Sequence, residues 1–160
     1  MNDLLSVVLI GIGATLIMDI WGLLRQRLLG IAPANYGMVG RWIGHMLHGQ
    51  FQHEAIAAAP RVNGEHVIGW AAHYLIGIAF AALLVAVAGR SWMLAPSIAP
   101  AIAVGVATVV APFFLMQPGM GAGIAASKTK KPASARVQSL ITHSVFGLGL
   151  YLSGLVLSGL

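Results

Sequence analysis

Gly69-Trp70-Ala71-Ala72-His73-Tyr74-Leu75-Ile76-Gly77 lies inside an apolar run from Val67 to Gly89, and that run decides the fold. A run of about 17–25 predominantly apolar residues is long enough to cross a bilayer as a helix. His73 is the only strongly polar side chain in it, with a glycine four residues away on either side. Residues four apart share a helix face, so His73 sits in a groove that another helix can enter.

Three further runs meet the same length requirement, Leu4–Leu24, Ile98–Met116 and Val137–Leu160. Of the 160 residues, 58% are hydrophobic and 8% charged, with a mean hydropathy of +0.86. Soluble domains carry roughly 25% charged residues. The spans therefore predict an all-α integral membrane four-helix bundle, one transmembrane domain over 1–160. A barrel would need alternating apolar and polar residues, and these runs do not alternate. The first run lacks a basic leader and is followed by its own basic residues, Arg25 and Arg27, so it reads as a span and not as a cleaved signal. Cysteine is absent, which excludes thiolate metal sites and disulfides.

The net charge of +5 is distributed in a telling way. Arg25, Arg27, Arg41 and Arg61 lie between the first and second spans, and Lys128, Lys130, Lys131 and Arg136 between the third and fourth. Only Arg90 lies between the second and third. The positive-inside rule then puts both termini in the periplasm and the two long loops in the cytoplasm of an inner-membrane protein. Basicity of this kind points to anionic lipid headgroups, at about 1 kcal/mol per residue near the surface, and not to nucleic acid. Within the first loop, Val39–His48 reads as a short interfacial helix, Ala55–Ala59 as a second helical piece ended by Pro60, and Asn63-Gly64 as a turn. Pro100 and Pro112 are expected to kink the third span, and Met116–Gly123 to be a flexible segment. Trp92 reads as a periplasmic anchor.

That orientation fixes depth. Asp19 lies six residues inside Arg25, His143 seven inside Arg136, and His73 seven inside His66. At a 1.5 Å rise these offsets are about 9–10.5 Å, so three ionisable groups on three helices share one level. An unpaired Asp at a helix centre costs about 2.5–3.5 kcal/mol on insertion scales, so the trio is expected to meet. Four readings follow. Asp19 accepts hydrogen bonds from the histidines and fixes the bundle. Alternatively Asp19, His73 and His143, with His45 and His48 above them, hold a divalent metal such as Zn or Fe, since two imidazoles and a carboxylate with open positions suit these ions. Haem is a further variant, bound non-covalently because no Cys-x-x-Cys-His motif exists. The fourth reading is a proton relay, for which the periplasmic half offers only Thr108, Ser153 and Ser6.

The glycine-rich run Gly119–Thr129 lacks the glycines at the positions a nucleotide-binding loop requires. Lys128, Lys130 and Arg136 beside it are candidates for holding a lipid phosphate or another anion.

Several stretches together carry a resemblance: Met18–Gly22, Val39–His45, Gly69–Gly77, Ala111–Ser127 and His143–Tyr151. On these the chain resembles a family of small bacterial polytopic inner-membrane proteins catalogued as a domain of unknown function. The resemblance covers nearly the whole chain, departing at Lys130-Lys131, where relatives tend towards proline. It implies a polytopic bacterial membrane protein and no activity, so it assigns no catalytic residue. The expected function is binding of a metal ion or small polar ligand by the Asp/His cluster. The alternatives are a metal-dependent membrane enzyme, with Asp19 or His45 as general base, and a non-catalytic accessory subunit or proton relay. The expected partners are membrane lipids, together with a membrane-protein partner or a second copy of the chain.

Overall fold

The computed structural model describes residues 2–159. Their regular structure is all helical, with no strand among them. Four helices are long and apolar enough to cross a membrane: Asp3–Leu29, Glu65–Ala88, Ile98–Gly119 and Pro132–Ser158. The last residue of the expected fourth span, Leu160, lies outside the described residues.

Helix α1 (Asp3–Leu29) starts where the Asn2 side chain accepts from the Leu4 amide, and ends at Gly30, whose φ of 67° lets its N–H close onto the Gln26 carbonyl. It runs past Arg25 and Arg27, where the hydropathy pattern stops, because arginine continues a helix well. After α2 (Tyr36–Met46) and a 3₁₀ turn at Ile56–Ala58 comes α3 (Glu65–Ala88). The short α4 (Ser91–Leu94) leads to α5 (Ile98–Ala107). A π-helical turn, Pro112–Met116, then precedes the single turn α6 (Gln117–Gly119). Pro100 falls in the first turn of α5, where its missing N–H costs nothing. Pro112 instead opens the π turn, one of the ways a helix absorbs a lost bond. A second 3₁₀ turn (Ile124–Ala126) leads to α7 (Pro132–Ser158), which begins five residues before the apolar run, with proline at its first position.

The chain forms two compact units. The first comprises Met1–Pro33, Tyr74–Thr108 and Leu140–Leu160. Here α1 meets α3 at Gly11, where an added Cβ would strike the Ile78 backbone, and meets α7 where Gly149 lies on the Ala14 backbone. Helices α5 and α7 cross at Gly105 and Gly147. The core between them is Val7, Ile10, Ala14, Ala81, Leu84, Ala101, Val104, Phe146 and Leu150. Trp92 belongs to it too: it is buried against Gly154 and donates its indole N–H to the Ser97 carbonyl at 3.0 Å, so it is a core residue and not an outward anchor. Polarity is inverted relative to a soluble protein. Thr15 and Thr108 are buried, while Leu4, Leu5, Leu16, Leu23, Val87, Ile98 and Val156 are exposed.

The second unit comprises Ala34–His73 and Val109–Ser139. Its centre is the contact of α2 with the first turns of α3, where Gly40 and Gly69 bring the two backbones together. The segment after the π turn is not loose. Gly121 lies against the Glu54 backbone, the Gly119 carbonyl accepts from the His53 amide at 2.9 Å, and that of Met120 from the Ile56 amide at 3.1 Å. Glycine is needed at 121 and 123, where φ is 93° and 74°.

Candidate functional site

In the first unit Asp19 accepts a hydrogen bond from the Tyr74 hydroxyl at 3.0 Å. Tyr74, one residue beyond His73, is a partner of Asp19 that the sequence reading did not name. Arg25, 8% exposed, reaches across to the Thr142 hydroxyl at 3.4 Å. His143 pairs with Thr108, Nδ1 to Oγ1, at 2.9 Å. Thr108 has one hydroxyl proton and gives it to the Gly105 carbonyl at 2.6 Å. His143 therefore donates from Nδ1, which leaves Nε2 as the ring's acceptor.

In the second unit His73 stacks on Tyr36, with ring centroids 3.9 Å apart, and Trp70 lies edge-on to it at 5.8 Å. Gly69 explains the stack. The carbonyl of Tyr36 occupies the place a side chain at 69 would take, and so the Tyr36 ring is delivered to His73. One glycine of the opening stretch thus receives α2. The other, Gly77, lies in the first unit and receives Thr15 of α1.

Arg41 organises the rest of this unit. It is 7% exposed and makes a paired contact with Glu65, Nε to Oε2 at 2.8 Å and Nη2 to Oε1 at 2.9 Å. Its Nη1 meets the carbonyls of Ile56, Ala57 and Ala59 at 3.1, 3.3 and 3.1 Å. The hydrogen bond to Glu65 raises the pKa of this already cationic group further. Five contacts engage all three guanidinium nitrogens, the two Nη1 hydrogens being shared among three carbonyls, and tie α2, the first 3₁₀ turn and the start of α3 together. Beside them is an open cleft of about 310 Å³ lined by Asn35, Met38, Arg41, Arg61, Glu65 and His66, among others. Glu65 is taken up by Arg41, and among the described residues no carboxylate forms a salt bridge with Arg61. The cleft therefore has a net positive lining.

His45 engages both ring nitrogens, Nδ1 with His53 at 2.7 Å and Nε2 with the Pro60 carbonyl at 3.1 Å. His48, in the turn after α2 and so outside the helix expected to run to it, bonds the Gly44 carbonyl at 3.1 Å. Among the described residues, no three His, Asp or Glu side chains are grouped so as to hold a metal ion. In the glycine-rich loop, Arg136 gives its Nε–H to the Ala125 carbonyl at 2.8 Å, while Lys128 and Lys130 are exposed. Arg41, Glu65 and Tyr74 were not singled out by sequence reasoning as site residues, and Thr108 only as a relay candidate. Glu65 had one available signal: it is one of only four acidic residues in the chain.

Four long apolar helices with outward leucines and inward threonines define the class, a multi-pass membrane protein. The chain belongs to the family described as "Protein of unknown function (DUF2938)", whose model matches residues 8–157. No curated protein and no solved structure matches it.

Proposed function

We propose that the chain is a bacterial inner-membrane protein, with both termini periplasmic, that binds a phosphate-bearing ligand on its cytoplasmic side. The observation that carries the reading is the cleft of the second unit, with Arg61 as a cation that forms no salt bridge among the described residues and Asn35 and His66 as further polar groups. A guanidinium suits phosphate oxygens through paired N–H donors. The basic residues Lys128, Lys130 and Arg136 belong to the side assigned to the cytoplasm by charge bias, where anionic headgroups attract them.

Phosphate chemistry has two sources, a lipid headgroup and a free anion. Thermal unfolding of the purified chain in neutral detergent separates them, with inorganic phosphate in one arm and phosphatidylglycerol in the other. Ligand that binds the folded chain raises the midpoint, and Arg61→Ala removes the effect in the arm that shows it. No shift in either arm overturns the reading. Orientation is tested by single cysteines at Ser97 and Lys130, since the chain has no native cysteine. Only the residue at 97 should react with an impermeant maleimide applied to spheroplasts.

A divalent metal is the second reading, favoured by one observation. Thr108 fixes the His143 tautomer so that Nε2 presents a lone pair, the arrangement a metal-bound histidine needs. Elemental analysis of wild type against His143→Ala tests it, and equal metal content sinks it.

A further inference from the structure

We propose that the ligand of the cleft is an anionic diacyl phospholipid, its phosphodiester held by Arg61, Asn35 and His66 and its glycerol and upper acyl chains laid on Trp70 and Val67. The inference rests on the phosphate reading above and narrows it from two sources to one. The place of the cleft on α3 does the narrowing. His66 is the second residue of a helix long and apolar enough to cross a membrane. Val67, next along, is 74% exposed, and Trp70, one turn further in, is 45% exposed. Residues 66, 67 and 70 share one side of the helix. The polar lining of the cleft therefore gives way, within about 6 Å of helical rise, to an exposed apolar strip.

Helix α2 supplies matching groups. A Cβ on Gly37 would lie 2.8 Å from the His66 ring and 3.1 Å from the Asn35 side-chain oxygen, so the bare glycine leaves room where these two polar groups converge. The Tyr36 ring, next to Asn35, meets that of Trp70 with centroids 4.7 Å apart and planes at 59°. Each of the two polar residues is thus coupled to one ring of an aromatic pair, Asn35 through the adjoining residue and His66 through one turn of helix. Tyrosine and tryptophan are the side chains enriched where headgroups give way to acyl chains.

Size and charge agree with that occupant. A volume of about 310 Å³ is at the lower end of pockets that enclose a whole small ligand, about 300–1,000 Å³. It takes a headgroup and leaves the acyl chains outside, on α3. A free anion would use the polar lining alone and gain nothing from the strip. Charge then selects among lipids. Among the described residues lining the cleft Glu65 is the one carboxylate, and Arg41 takes both of its oxygens. A headgroup ammonium, as in phosphatidylethanolamine, meets no uncommitted carboxylate there. A headgroup with no cation, as in phosphatidylglycerol, suits the net positive lining.

The test follows thermal unfolding of the full chain in neutral detergent, each variant against its own ligand-free midpoint. The probes are phosphatidylglycerol, the same headgroup without acyl chains (glycerophosphoglycerol), and phosphatidylethanolamine. We expect phosphatidylglycerol to raise the midpoint, and glycerophosphoglycerol to need at least about tenfold more for the same rise, the effect of losing a large apolar contact. Phosphatidylethanolamine gives a smaller rise. Arg61→Ala removes the rise with every probe. Trp70→Ala and Val67→Ser weaken the response to phosphatidylglycerol and leave that to glycerophosphoglycerol unchanged. Val67 is exposed enough for its substitution to spare the packing of the fold. If glycerophosphoglycerol or inorganic phosphate acts as strongly as the lipid, through Arg61 but regardless of Trp70 and Val67, the phosphate reading stands and the lipid inference falls. An equal rise with phosphatidylethanolamine overturns the anionic assignment. No rise with any probe removes both readings.

Discussion

Gly40 and Gly69 face each other where α2 crosses α3, and the Gly69 amide nitrogen lies 2.7 Å from where a Gly40 Cβ would stand. That Cβ would also fall on the Glu65 carbonyl, and one at 69 on the Tyr36 carbonyl. Backbone cannot yield as a flexible side chain does. Gly40→Ala and Gly69→Ala are each expected to destabilise the protein by at least the roughly 1–3 kcal/mol typical of overpacking. Gly159→Ala, whose nearest heavy atom is 3.7 Å away, is the neutral control. Midpoints of thermal unfolding in detergent give the comparison.

Arg41 acts through its fork and not only through its charge. Arg41→Lys keeps the charge but cannot reach Glu65 and three carbonyls together. We expect it to lower the unfolding midpoint nearly as far as Arg41→Ala. The exchanged pair Arg41→Glu with Glu65→Arg should not restore stability, because the carbonyls of Ile56, Ala57 and Ala59 then face a carboxylate. Recovery in the exchanged pair would reduce the contact to a simple ion pair.

Tyr74→Phe removes the hydroxyl that meets Asp19 at 3.0 Å while keeping the ring. Hydrogen bonds between membrane helices average about 0.6 kcal/mol, and a loss of that order is expected. Tyr74→Phe in an Asp19→Asn background should cost less than in wild type. Additive losses in this double-mutant cycle would separate the two residues energetically.

Ala125 and Ala126 have φ of 46° and 59°, in the left-handed region. A side chain there costs roughly 1–2 kcal/mol per residue, offset here by bonds from Arg136 to the Ala125 carbonyl and from Thr129 to that of Ala126. Glycine relieves the strain but adds unfolded-state freedom. Ala125→Gly should therefore raise stability by up to about 1 kcal/mol. Ala126→Gly also forfeits a methyl at a residue only 1% exposed, and should gain less.

The four long helices were legible because hydropathy over twenty residues is a strong signal. Their ends were legible only in part. Arg25 and Arg136 mark the ends of apolar runs, but α1 and α7 extend beyond them, since propensity and capping, not hydropathy, end a helix. The candidate site was less legible. Asp19 and His143 are conspicuous in a hydrophobic sequence, yet their partners, Tyr74 and Thr108, are unremarkable there and are chosen by helix rotation. Arg41 read as one basic residue among nine in the chain, because what sets it apart is a set of carbonyls that exists only after Ile56–Ala59 has turned.

Thr15 gives its hydroxyl proton to Gly11 one turn back, Thr108 to Gly105, and Ser144 to Leu140. Each helix so quiets its own polar groups before it meets a neighbour. Inside the first unit, shape does most of what wiring does elsewhere: Gly11, Gly105, Gly147 and Gly149 act as the wards of a lock. Such a unit tolerates the loss of a hydroxyl more readily than the gain of a methyl. Its sequence is free to change in polarity at Thr15 while being held rigidly to volume one turn away at Gly11.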